Sequence, residues 1–247
     1  MKKLGYLFYY ECEIEQVKPG RTVESYMELH IYLERVFPGL KLRPSLYKQW
    51  DASLHFEFAK DQNQFLPDGS LNMGMFDQVY EQATVLFERL FSDEDELFLV
   101  TNIYQKKSTH LGSLKLYSRY LKDKNLKYKL KLETLPYIFN DVDNANQYQT
   151  LRFSLRCQRQ DIHYQKLIKA ICHEDFHLKP RLGSKGCVYY PDVFFINKTK
   201  DVIYFIYDDR GAEVVAKDGE TLRPVYENFS EWLAKDCKEK VQLLFEG

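Results

Sequence analysis

Apolar side chains at Phe76, Val79, Tyr80, Ala83, Phe87, Leu90 and Phe91 recur every three or four residues, which predicts one amphipathic helix over 76–91. A second stripe, Tyr26, Leu29, Leu33, Val36 and Phe37, predicts a helix that Thr22 caps and Pro38-Gly39 stops. Weaker helical patterns cover 113–122 and 162–176, and a C-terminal helical region starts near Gly219 and runs past Trp232. Period-two or continuous apolar runs predict strands at 4–14, 54–58, 97–100, 126–132, 192–197, 202–207 and 212–216. The clearest alternation is Leu126-Lys127-Tyr128-Lys129-Leu130-Lys131-Leu132, expected to be a strand with one wet face.

Together these elements predict an α+β protein, with mixed or antiparallel sheets and helices packed on one side. The polar stretch Asn140–Gln149 is the natural boundary between an N-terminal lobe, 1–140, and a C-terminal lobe, 141–247, although one compact domain is equally compatible with it. Leu151–Leu155 echoes Leu54–Phe58, and each is followed by a helix and then an aromatic strand, so two similar lobes are one reading and chance likeness the other.

The chain has 247 residues, ample for a sizeable core. Its 15% aromatic content argues against disorder. With 35 basic and 36 acidic residues it lacks the bulk charge of a general nucleic-acid or membrane binder. Cys12, Cys157, Cys172, Cys187 and Cys237 are widely spaced without a Cys-x-x-Cys pair, which fits a reducing cytoplasm rather than a disulfide framework. The apolar start is interrupted by Glu11 and Glu13, unlike a signal peptide, and no membrane segment or cofactor is expected.

Three strings could carry chemistry. His173-Glu174-Asp175-Phe176-His177 matches H-E-x-x-H, in which two histidines one turn apart hold zinc and the glutamate activates water. Its bland reading is a pair of solvated histidines at a helix end, because the buried side of the helix is Leu167, Ile168, Ile171 and Cys172. Asp208-Asp209-Arg210-Gly211 could hold Mg²⁺ with Asp192 or Glu213. It reads more simply as a hairpin turn with Gly211 in the left-handed position, since neighbouring aspartates on a strand point to opposite faces. Lys127, Lys129 and Lys131 could meet phosphates or an acidic partner, or could guard an exposed edge strand against aggregation.

The segments Phe194-Phe195-Ile196-Asn197, Tyr207-Asp208-Asp209-Arg210-Gly211, Glu220–Tyr226 and Trp232 resemble an uncharacterised bacterial family, a domain of unknown function often encoded near polymorphic toxins. The tail carrying Phe229, Trp232 and Leu233 is similar in pattern to the end of SMI1/KNR4-type immunity proteins. The two likenesses imply a cytoplasmic protein that binds and neutralises a cognate toxin by occlusion, without catalysis. Its candidate binding residues are an exposed tip, Tyr207 to Gly211, and the Lys127, Lys129, Lys131 stripe. The alternatives are a zinc hydrolase using His173, Glu174 and His177, or a nucleic-acid binder using the lysines.

Overall fold

A computed structural model describes residues 28–109, 115–139, 145–182 and 188–245. Its centre is one seven-stranded sheet in which every pair is antiparallel. In chain order the strands are β1 (Ser53–Glu57), β2 (Glu96–Lys106), β3 (Lys131–Pro136), β4 (Tyr148–Gln158), β5 (Asp192–Asn197), β6 (Val202–Asp208) and β7 (Gly211–Ala216). Across the sheet they run β1-β7-β6-β5-β2-β4-β3. The fold is therefore α+β, with strands from both sides of residue 140 interleaved in one sheet. The two strand–helix–strand units differ in span. Three strands lie between β1 and β2, whereas one lies between β4 and β5.

Both faces of the central strands are covered, which is why β5 and β6 read as continuous apolar runs instead of alternating ones. On one face Leu97, Leu99, Phe153, Val193, Phe195, Tyr204, Ile206, Ala212 and Val214 meet the main helical layer. That layer is formed by α2 (Met73–Leu90), α3 (Lys115–Tyr120), α4 (Tyr164–Ile171), α5 (Gly219–Phe229) and α6 (Lys238–Phe245). On the other face Phe98, Val100, Phe194, Ile196, Ile203, Phe205 and Val215 pack under α1 (Glu28–Val36) and the chain after it.

Every residue of the expected 76–91 stripe is buried, and α2 begins where the Asn72 side chain accepts a hydrogen bond from the Met75 amide at 3.2 Å. Leu29, Leu33 and Phe37 are buried as the α1 stripe requires, whereas Thr22, Tyr26 and the 4–14 strand lie outside the described residues. The Leu126–Leu132 segment departs from expectation. Lys124–Lys129 is a 3-10 helix opened by Asp123, whose side chain accepts from the Asn125 amide at 2.8 Å, and only Lys131 onward is strand. Leu126 and Leu130 are also four residues apart, so the same residues satisfy a helical turn as well as an alternation. No described helix is long and apolar enough to cross a membrane.

Candidate functional site

Strands β6 and β7 meet at the charged turn. Ile206 pairs with Ala212 and Asp208 with Gly211, so Tyr207 is one extra residue on β6, a bulge that twists the end of the strand. Asp209 and Arg210 make the turn, and the Phe58 amide donates to the Arg210 carbonyl at 2.8 Å. Gly211 is not left-handed, contrary to the turn chemistry expected of it. A Cβ there would collide with the Phe56 carbonyl oxygen and the Tyr207 hydroxyl, so close approach demands the glycine.

The tip is not exposed. Asp208 and Asp209 retain 3% and 2% of their surface, Tyr207 is half-buried, and the Arg210 side chain faces solvent. Asp208 Oδ1 accepts from the Arg210 amide at 2.7 Å, and Oδ2 accepts from the Arg210 guanidinium through Nε at 2.9 Å and through Nη2. Asp209 Oδ2 accepts from Gln64 Nε2 at 2.6 Å, while its Oδ1 is buried without a hydrogen-bond partner among the described residues. The chain leaving α4 brings a third acid beside them. Asp175, Asp208 and Asp209 each offer one oxygen within 4.8 Å of the others. The expectation that adjacent aspartates face apart fails because β6 ends at Asp208 and Asp209 belongs to the turn.

Two more carboxyls complete the acidic neighbourhood. Burial, and then the charges of Asp192, Asp208 and Asp175, push Glu174 up to about 8, with Arg210 opposing. Burial pushes Asp192 up to about 7 although the Tyr104 hydroxyl donates to it. Burial likewise raises Asp209, against the Gln64 hydrogen bond. Glu213 is no part of this group. It alternates with Ala212 and Val214 onto the opposite face, where its Oε2 accepts from the Leu46 amide at 2.7 Å.

The histidine string takes a different form from the one its spacing suggests. α4 ends at Ile171, so His173 and His177 do not share a helix face. His173 is buried at 2% exposure rather than solvated, with Nδ1 donating to the Pro180 carbonyl at 2.6 Å and Nε2 accepting from the Tyr80 hydroxyl. Both ring nitrogens are thereby spent, and burial holds the ring below the usual histidine range. His177 is exposed. The lysines do not form a strand stripe either: exposed Lys127 and Lys129 belong to the 3-10 turn, with Lys127 lying 4.9 Å from the Tyr128 ring centre, and half-buried Lys131 opens β3.

Two features escaped sequence reading. His55 Nδ1 donates to Asp236 Oδ1 at 2.9 Å, and its Nε2 lies 3.1 Å from the Tyr207 hydroxyl, a chain of three residues separated by 152 and 181 positions. The loop before α2 also flanks the acidic tip. Gln64 holds Asp209, the Phe65 ring lies 6.0 Å from that of Phe176, and Phe65, Leu66 and Met73 are 52%, 43% and 45% exposed. The only sequence sign of that loop was its Gly, Asn and Pro content over 61–74.

The comparisons with known proteins cover nearly all of this architecture. A family model described as "Domain of unknown function (DUF3885)" matches residues 29–237, a span that contains His55, Asp175, Asp208, Asp209 and Asp236. A Bacillus subtilis (strain 168) protein, printed as "Uncharacterized protein YnaE", is 43% identical over 209 residues, which is 84% of this chain and 97% of that protein. No solved structure matches the chain significantly.

Proposed function

The chain belongs to the DUF3885 family, a domain of unknown function, and we propose that it is a cytoplasmic binding protein that neutralises a cognate bacterial toxin by occlusion, without catalysing a reaction. The observation that carries this reading is the surface around the β6–β7 hairpin. The loop that Gln64 ties to Asp209 and Phe65 to Phe176 leaves Phe65 and Leu66 exposed, with Met73 exposed just after it, and the Arg210 and Asp175 side chains face solvent at the same hairpin and the segment after α4. Aromatic residues, methionine and arginine are the types enriched at the centres of protein–protein interfaces. The loop is not loose, because Gln64 and Phe65 fasten it to Asp209 and Phe176, so little ordering entropy is lost when a partner docks. The partner's complementary face is accordingly apolar with a polar rim.

Co-expression with toxins encoded beside the gene tests the reading. Cells carrying the cognate toxin should survive only with this protein, and a Phe65→Ser/Met73→Ser/Arg210→Glu variant that melts like the parent should lose protection. Failure of the parent to protect against any neighbouring-gene product would remove the proposal. Full protection by the triple variant would move the interface elsewhere.

A further inference from the structure

We propose that Asp175, Asp208 and Asp209 form a binding site for a hard divalent cation of calcium size. The donors are carboxylate oxygens alone, the set preferred by calcium, magnesium and manganese over softer metals. Calcium–oxygen bonds of about 2.3–2.6 Å let two ligands of one ion stand up to about 5 Å apart. The three oxygens, all within 4.8 Å of one another, meet that limit without rearrangement.

The second observation is the orphan oxygen. Asp209 is 2% exposed, and its Oδ1 has no hydrogen-bond partner among the described residues although Gln64 fixes the other oxygen of the same carboxylate. A buried carboxylate oxygen left in that condition is costly unless something cationic meets it, and a metal ion is one of the few partners small enough to do so. Charge points the same way. The guanidiniums of Arg210 and Arg181, which adjoin these acids, are already committed, that of Arg210 to Asp208 and that of Arg181 to the Phe176 and Glu174 carbonyls. Asp208 keeps capacity for an ion because a carboxylate offers about four lone-pair sites and Arg210 takes three hydrogen bonds there. Asp175 is exposed, so water can enter and complete the shell of six to eight oxygens that calcium takes. An ion there would tie the segment after α4 to the β6–β7 hairpin. It would do so whether or not a partner protein ever docks beside it.

The test uses the full chain stripped with EDTA, titrated with CaCl₂ by calorimetry and followed by thermal melting, with NaCl at matched ionic strength as control. One calcium per chain is expected, with a Tm rise of about 3 °C once free calcium stands tenfold above its Kd. Asp175→Asn, at an exposed position, should leave the metal-free Tm no lower than the parent's, since it removes one of the clustered like charges, and weaken binding at least about tenfold. Glu81→Gln, an exposed carboxylate on α2, should bind as the parent does. The proposal is overturned by absence of heat and of any Tm shift at millimolar calcium. The same Tm rise from NaCl, or undiminished binding by Asp175→Asn, overturns it equally. Tighter binding of magnesium than of calcium overturns the size assignment.

Discussion

At the scale of single residues, the hairpin tip shows how leaving a strand changes the meaning of a neighbour. Asp208 and Asp209 stand next to each other, and on a regular strand they would face apart. β6 ends at Asp208 and Asp209 already belongs to the turn, so the alternation does not hold between them and both converge with Asp175. The acidic character of the tip was legible in the chain, but its convergence was not, because composition does not mark the last strand residue in a Tyr-Asp-Asp string. His173 departs from its expected solvation for a related reason. Its burial depends on Tyr80, 93 positions away on α2, and on the chain folding back to offer the Pro180 carbonyl.

Asp192 supplies a pH signature at the same scale. Its carboxyl is raised from 3.8 to about 7 by burial, so the folded protein holds a proton there that the unfolded chain gives up. Stability from this group is complete below about pH 4 and is lost as pH rises through about 7. Asp192→Asn keeps an oxygen that can accept from the Tyr104 hydroxyl and removes the titration. In EDTA-containing buffer the variant and the parent should be similar near pH 4, and the variant should be more stable at pH 8. The gap is bounded by a few kcal/mol, since each pKa unit is worth about 1.4 kcal/mol. Urea denaturation at both pH values reads it, and a gap independent of pH would refute the assignment.

At the scale of elements, α2 was the most readable part of the molecule and α3 to β3 the least. The α2 stripe is long, has seven apolar members at helical spacing, and is capped by Asn72, so local propensity and burial agree. Residues 126–132 carry too few buried side chains to decide between turn and strand. Leu126 and Leu130 are only half buried there, and Lys127, Tyr128 and Lys129 are exposed. The lysines thus lost their shared face when the strand was replaced by a 3-10 turn. For α2 the consequence is strict: Val79 has no exposed surface, so Val79→Asp places a carboxylate in the layer between helix and sheet. A destabilisation above about 4 kcal/mol is expected, enough to unfold a domain of ordinary stability. Circular dichroism and melting indistinguishable from the parent would show that the helix does not depend on that core.

At the scale of the whole molecule, a sheet covered on both faces leaves its chemistry to the ends of strands and the loops that adjoin them. β6, β7, the segment after α4 and the loop before α2 all reach one rim, where the acidic triad lies and where Gln64 and Phe65 tie the loop to Asp209 and Phe176. Mixed or antiparallel sheets with buried strands could be anticipated from β-prone apolar runs, and their union in one wholly antiparallel sheet could not. Their order could not, because β1 joins the sheet beside β7 at the far end of the chain, a pairing fixed by tertiary packing alone. The central claim is occlusion, and stoichiometry tests it most directly. Titrating a fixed amount of the purified cognate toxin with this protein should reduce the toxin's activity linearly to a sharp end point at a fixed molar ratio, and the activity should return when the complex is dissociated. Complete inactivation by a small fraction of an equivalent, increasing with time and persisting after separation, would show turnover and contradict it.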